Sequence, residues 1–236
     1  MTRILPGTCG FAYPEWKGRF YPARLPVSGM LAAYAERLPT VEIDATFYRP
    51  PDPGTVAGWY RAVPPGFVFA LKAPREITHE RRLAGVSGAV RSFYLAAAEL
   101  EEKLGPVLFQ LPPTLEKDLS LLRGLLALVP RGGRTAIEFR HPSWLDDAVL
   151  SALRDAGAAL CIVDALRGET QLVSTARFGY LRLRQTDYGP RALARWVERI
   201  RAQPWQEAFV YFKRTDEARG PALAAAMARS LARQRE

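Results

Sequence analysis

The sequence predicts an α/β fold, a single-domain (β/α)8 barrel of the TIM type over residues 1–236. Eight short apolar runs rich in β-forming residues recur along the chain, at 4–7, 41–44, 67–72, 107–111, 135–139, 158–163, 179–184 and 208–213. Segments of helical periodicity lie between or after them, at 29–37, 53–62, 90–104, 119–128, 146–155, 190–202 and 221–233. This alternation is the pattern of βα units in a parallel sheet. No Gly/Ser-rich linker or charge run divides the chain, and 236 residues suit one such barrel. An open doubly wound sheet is the alternative. A dinucleotide-binding fingerprint would favour it, but Gly7-Thr8-Cys9-Gly10 lacks the spacing and Arg131-Gly132-Gly133-Arg134 precedes a strand.

Taken in order, the first run ends near Thr8 and opens an aromatic loop with Phe11, Tyr13, Trp16, Phe20 and Tyr21. The second places Glu42, Asp44 and Thr46 along one face and its exit, followed by Phe47-Tyr48-Arg49-Pro50-Pro51. The third closes on Lys72 behind the small Ala70, leaving room for an inward ammonium. Gly105 suits the end of the helix that follows, and Gln110 lies near the end of the fourth run. In the fifth, Thr135-Ala136-Ile137 passes into Glu138-Phe139-Arg140-His141 and is stopped by Pro142, as a buried strand opening onto a polar loop would be. Asp146 and Pro190 suit helix starts and Gly157 a helix end. Residues 166–175, after the sixth run and its exit residue Asp164, carry no helical stripe, so a short or irregular connection is expected there. Arg182 and Arg184 share a face of the seventh run, and Lys213 closes the eighth.

Composition points to a folded, enzyme-sized chain. With 48% hydrophobic and 24% charged residues it lies far from disorder, and it contains no apolar stretch of about 18 residues. The N-terminus MTRILPGTCG has no apolar core of a signal peptide, and Cys9 and Cys161 are the only cysteines, so a reducing cytoplasm is the expected compartment, with no membrane partner. The formal charge is +9, unevenly placed: seven arginines stand from Arg177 to Arg201 against Asp187 and Glu198. Such an excess is a solubilising surface or an attraction for an anionic partner.

Barrel enzymes gather their chemistry at the C-terminal strand ends. Glu42, Lys72, Gln110, Glu138, Arg140, His141, Asp164 and Arg182 would all meet there. Each has a structural alternative. Glu42 and Arg140 would pair as a buried salt bridge, Lys72 would snorkel, His141 would bond a loop carbonyl and Asp164 would cap the next segment. Arg184 and Lys213 are weaker, since each would also suit the solvent edge. Trp16 and Phe20 read best as core.

The stretches GTCGFAYPEWKGRFYP (7–22), VEIDATFYRPP (41–51), FVFALKAPREITHERRL (67–83), LGPVLFQLPP (104–113) and AIEFRHPSW (136–144) resemble the YecE-like family, domain of unknown function 72. YLRLR (180–184) and EAFVYFK (207–213) match more weakly. The resemblance implies a TIM barrel with a polar pocket carried by Glu42, Thr46, Phe47, Tyr48, Arg49, Lys72, His79, Gln110, Glu138, Arg140, His141 and Arg182. It implies no established reaction. Two places depart from the family pattern: Arg182-Leu183-Arg184-Gln185 stands where Arg-Leu-His-Gly is common, and Lys213-Arg214-Thr215-Asp216 where paired asparagines and an acidic residue are common. The mouth of this member is the more basic for it.

Function is therefore expected from acid/base chemistry on a small anionic polyhydroxylated molecule, a sugar phosphate or sugar acid. Glu138 is the first candidate acid/base, with His141 or Glu42 as its partner. Arg140, Arg182 and Lys72 would clamp the anion, with Gln110, Thr46, Tyr48, Arg49, His79 and Asp164 as further binding residues. Lys72 as a Schiff-base nucleophile is a narrower version of the same reading. No cofactor and no metal ligand set is predicted, because no HxH or HExxH spacing occurs. Two other classes stay open: metal-assisted phosphoester or sugar chemistry, and a barrel that binds nucleic acid or another partner through its basic surface. The oligomeric state is not legible.

Overall fold

The structure is a computed structural model and describes residues 1–166, 168–185, 188–213 and 216–233. Nine strands form one sheet: β1 Arg3–Cys9, β2 Thr40–Ile43, β3 Val68–Lys72, β4 Leu104–Gln110, β5 Thr135–Glu138, β6 Ala159–Ala165, β7 Gly168–Glu169, β8 Phe178–Leu183 and β9 Glu207–Phe212. Eight of them pair in parallel around a ring, β1-β2-β3-β4-β5-β6-β8-β9 and back to β1. The two-residue β7 pairs antiparallel with the end of β6, outside the ring. The predicted barrel is therefore the observed one, and the irregular unit lies after strand six as expected: no helix occurs between β6 and β8 among the described residues.

Helices α1 Met30–Ala35, α3 Pro53–Ala62, α4 Ser87–Ala97, α5 Leu119–Leu128, α6 Asp147–Ala156, α7 Pro190–Arg201 and α8 Arg219–Arg233 follow the strands, and a single turn, α2 Ala45–Tyr48, leaves β2. Their starts obey local chemistry. The carboxylates of Asp52, Asp118 and Asp146 accept the backbone N–H of Thr55, Leu121 and Val149, satisfying donors that the first turn leaves open. Gly157 ends α6 in the left-handed region at φ 63°. Gly105 does not end a helix. It lies inside β4, where a Cβ would come within 2.4 Å of the Val68 side chain and 2.9 Å of the Phe69 carbonyl oxygen. The preceding helix instead breaks at Glu101, which turns to φ 47°.

Two apolar layers result. Between the ring and the helices lies the larger core, with Trp16, Phe20, Tyr34, Phe69, Phe109, Trp144, Leu181 and Phe212. Inside the ring, Leu5, Ala70, Leu108, Ala136, Cys161, Phe178, Tyr180, Phe209 and Tyr211 fill the lower barrel. Alternation along each strand then dictates what comes next on the inner face. Two residues beyond Ala70 is Lys72, beyond Leu108 is Gln110, beyond Ala136 is Glu138 and beyond Tyr180 is Arg182. The apolar floor and the polar mouth are thus one periodic pattern read in order along the same strands.

Close strand approach has a steric requirement at Gly7, where a Cβ would sit 2.1 Å from the Thr40 carbonyl oxygen of the neighbouring strand. Gly7→Ala is expected to destabilise the fold by ~1–3 kcal/mol, the usual range for overpacking. Gly58→Ala, inside α3 with nothing within 4 Å of the new Cβ, should be neutral or stabilising by up to about 1 kcal/mol. Urea unfolding of the two variants beside the wild type reads both signs.

Candidate active site at the barrel mouth

Arg182 stands at the centre of the mouth with its side chain 0% exposed. Its Nη1 donates to Glu138 Oε2 at 2.7 Å and its Nη2 to Glu42 Oε1 at 2.7 Å, so the guanidinium spans from β5 to β2 across the ring. The other oxygens of the two carboxylates are also taken. The Tyr180 hydroxyl donates to Glu42 Oε2 at 2.6 Å, and Gln110 Nε2 donates to Glu138 Oε1 at 2.8 Å. Charges withdrawn from water this far persist only when paired and hydrogen-bonded; both carboxylates meet the two conditions, while the buried Nε of Arg182 is left without a hydrogen bond.

The network fixes ionisation. Burial alone would raise the carboxyl of Glu138, but Arg182, Arg184 and the hydrogen bonds from Gln110 and Arg182 outweigh it and hold the group down at about 2. Glu42 is held below its ordinary value in the same way, against burial, by Arg182 and the Tyr180 hydroxyl. Both are anions at neutral pH.

Asp44, one step beyond β2, is different. Its Oδ1 is buried but accepts no hydrogen bond, while 20% of its side chain remains exposed. Burial and the neighbouring Glu42 push its carboxyl up, against the pull of Arg182, Lys213 and Lys72. Lys72 Nζ lies 3.8 Å from that oxygen and 3.8 Å over the ring of Phe47. Burial lowers the Lys72 ammonium below its ordinary value, with Asp44 opposing and Arg182 assisting. Thr46, in α2, donates to the Lys72 carbonyl at 2.6 Å and to that of Ile43 at 3.0 Å, binding the ends of β2 and β3 together.

Around this centre lies a cationic rim. Arg140 Nε and Arg184 Nη1 each stand 3.9 Å from Glu138 Oε1, and the charge of Lys213 reaches Asp44 and Lys72. His79, on the π-helical turn Glu76–Glu80, meets Phe47 edge-on at 4.9 Å between ring centroids. Burial, Lys72 and Arg140 keep it below its ordinary value, so it is neutral at pH 7.

Four expected residues stand apart from this group. His141 Nδ1 accepts the backbone N–H of Ser143, capping the turn Pro142–Trp144. Asp164 accepts from Gln185 Nε2 at 2.7 Å and from the Tyr188 hydroxyl at 2.9 Å, with α7 beside it. Tyr48 is 72% exposed and Arg49 is exposed beside it. Conversely, Asp44, Arg184, Lys213 and Tyr180 belong with the centre. The alternation that marks Arg182 also marks Tyr180, two residues before it, so that signal was present in the sequence. Arg214 and Thr215, the other changed positions after strand eight, and Asp187 lie outside the described residues.

Among the described residues, Cys9, Glu42 and Asp44 bring three metal-type ligand atoms within 4.8 Å of one another. Arg182 Nη2 already contacts all three, at 3.6 Å from Cys9 Sγ, 2.7 Å from Glu42 and 3.5 Å from Asp44. Burial and Glu42 keep the Cys9 thiol protonated. A guanidinium balances this group of acceptors, which fits a dedicated metal centre poorly.

Over residues 5–236 the sequence matches the family described as "Protein of unknown function DUF72". The chain belongs to the DUF72 family. The UPF0759 protein YunF of Bacillus subtilis (strain 168) is 29% identical over 136 residues, a match spanning 52% of this chain and 47% of that protein. The solved DUF72 family protein TM1631 of Thermotoga maritima MSB8 superposes with a TM-score of 0.80 at 24% identity, over 98% of this chain and 99% of that one. The DUF72 protein EF0366 of Enterococcus faecalis V583 gives 0.78 at 22% identity, over 98% of each chain. These likenesses establish the DUF72 barrel and carry no chemistry with them. No helix among the described residues is long and apolar enough to cross a membrane.

Three predictions follow from the carboxylates of the mouth. Arg182→Met strands two buried anions and should cost roughly 3–5 kcal/mol, read by urea unfolding at pH 7. Glu138, depressed in the fold, contributes stability that is complete above its unfolded value near 4.5 and is lost as pH falls toward about 2. Glu138→Gln should therefore destabilise at pH 7 and flatten the acid limb of the stability profile. Asp44→Asn should be neutral or stabilising at pH 7, because the fold already disfavours that charge.

Proposed function

We propose that this DUF72 protein is an enzyme that binds a small anionic polyhydroxylated molecule, a sugar phosphate or sugar acid, at the C-terminal mouth and acts on it by proton transfer. The observation that carries the reading is the charge left over. Lys72, Arg140, Arg182, Arg184 and Lys213 face Glu42, Asp44 and Glu138, five cations against three carboxylates. Arg182 is consumed by Glu42 and Glu138, so the rim retains positive charge beside a partly buried floor, where an anion is worth more than at an open surface.

Within this reading the roles divide by environment. Glu42 and Glu138 hold Arg182 and, fully ionised and hydrogen-bonded, are weak proton carriers at neutral pH. Asp44, with its raised carboxyl and an oxygen that accepts no hydrogen bond, suits general acid/base work beside Lys72. Arg140 and Arg184, each still 3.9 Å from a carboxylate, have donors to spare for the substrate's charge. Gln110 and Tyr180 hold the floor. The exposed Tyr48 and Arg49 are rim residues that a ligand would meet on entry.

A thermal-shift series with sugar phosphates, sugar acids and inorganic phosphate tests the reading. A ligand that binds the folded protein raises its melting temperature by mass action. Arg184→Gln is expected to weaken the shift about tenfold or more in ligand concentration, the loss of one charge-assisted contact. A shift confined to polynucleotide, abolished at higher salt and indifferent to Arg184, would favour a nucleic-acid-binding barrel instead.

A further inference from the structure

The chain contains five lysines, at 17, 72, 103, 117 and 213, and two of them, Lys72 and Lys103, are buried to the same extent at 5% exposure. They are held in opposite ways. Lys103 Nζ donates to the carbonyls of Tyr60 and Val63, each at 2.8 Å, an ammonium satisfied as a structural tie. Lys72 Nζ has no hydrogen-bond acceptor among the described residues. Its nearest carboxylate oxygen, Asp44 Oδ1, stays at 3.8 Å and is itself without a donor. An ammonium and a buried carboxylate oxygen that meet at 3.8 Å at a strand end, with no hydrogen bond between them, are a costly arrangement for stability alone. They are what a reaction at that amine needs.

We infer that Lys72 is a nucleophile that forms a Schiff base with an aldehyde or ketone carrying a carboxylate or phosphate, with Asp44 as its proton relay. The inference deepens the anion-site reading above and rests on it, since the rim arginines would hold the charged end of the carbonyl compound. The chemistry is available because burial and the surrounding cations favour the free amine, and Phe47 covers the nitrogen at 3.8 Å, limiting its access to water. The hydrogen bond from Thr46 to the Lys72 carbonyl fixes the backbone from which the amine projects.

The step balances without an oxidant or reductant. Asp44 takes a proton from the ammonium, and the free Nζ adds to the carbonyl carbon as the C=O π pair moves to oxygen. Asp44 returns its proton to that oxygen, giving a hydroxyl. It then takes a second proton from nitrogen and delivers it to the departing hydroxyl, which leaves as water as the nitrogen lone pair forms C=N. Ammonium and carbonyl have become iminium and water, and Asp44 ends as it began.

The experiment is competitive reductive trapping on the wild-type protein. Pyruvate, dihydroxyacetone phosphate and glyceraldehyde 3-phosphate are each added with borohydride, which reduces an iminium to a stable secondary amine, and peptide mapping assigns the adduct. The expected result is an adduct with at least one probe at Lys72, formed at least tenfold faster than at the more exposed Lys17, Lys117 and Lys213, absent in Lys72→Met and slowed at least tenfold in folded Asp44→Asn. A Lys72 rate no greater than that of the exposed lysines overturns the inference. If glycerol 3-phosphate, which has no carbonyl, still raises the melting temperature in that case, the anion site stands and only the lysine chemistry falls. No shift with any anion and no selective adduct defeats both. An unchanged Lys72 rate in Asp44→Asn overturns the relay.

Discussion

Everything at the mouth of this barrel depends on one guanidinium. Arg182 comes from β8, and the carboxylates it joins come from β2 and β5, strands that are not its neighbours in the ring. The tie crosses the interior instead of running along the sheet. It closes the apolar lower barrel with a polar lid and holds distant strand ends in a fixed relation. Tyr180 and Gln110 complete it by taking the oxygens that Arg182 leaves. Because both glutamates are satisfied, the ionic character of the floor is settled by the protein's own side chains. One strand end away, Asp44 and Lys72 face each other at 3.8 Å with no hydrogen bond between them, and Asp44 Oδ1 accepts none from elsewhere.

Much of this was legible in the sequence because one rule, alternation along a strand, generates both the fold and the site. The same spacing that sets Ala70, Leu108, Ala136 and Tyr180 inside the barrel sets Lys72, Gln110, Glu138 and Arg182 above them. Strand existence and order followed from apolar runs, and the missing helix after β6 from the absence of a stripe. What could not be read was how each polar atom is used. Glu138 and Asp44 are both carboxylates at strand exits, yet one receives hydrogen bonds and the other has an orphan oxygen, a difference decided by side chains from other strands. His141 looked like an acid/base partner because histidine is rare here, and the structure shows its Nδ1 capping the next turn. Gly105 looked like a helix end because glycine commonly is one, and its requirement is close contact between β3 and β4. In each case residue type carried the expectation and three-dimensional context set the role.

The basic character of the chain also takes on a definite shape. Arginine excess on a surface is weak grounds for any partner, and one of the arginines counted between 177 and 201 serves locally: Arg199 pairs with Glu169 and lies over Trp196. Arg182 and Arg184 are of another kind, since both reach the same buried carboxylate. Arg182-Leu183-Arg184-Gln185 puts a permanent cation at Arg184, where the family resemblance leads one to expect a titratable histidine. Gln185, in the same departure, anchors Asp164, so the change alters the rim and the support behind it together.

The loop after β2 shows how the protein separates two kinds of selection. Thr46 and Phe47 are buried and knit the ends of β2 and β3, whereas the next two residues, Tyr48 and Arg49, lie in the open. Thr46 and Phe47 touch the strand ends and the Lys72 side chain at once, whereas Tyr48 keeps only an edge-on contact with Phe47 at 5.0 Å. Divergence among descendants of such a chain would therefore accumulate at this exposed edge first, while the packed interior beneath it stays the same.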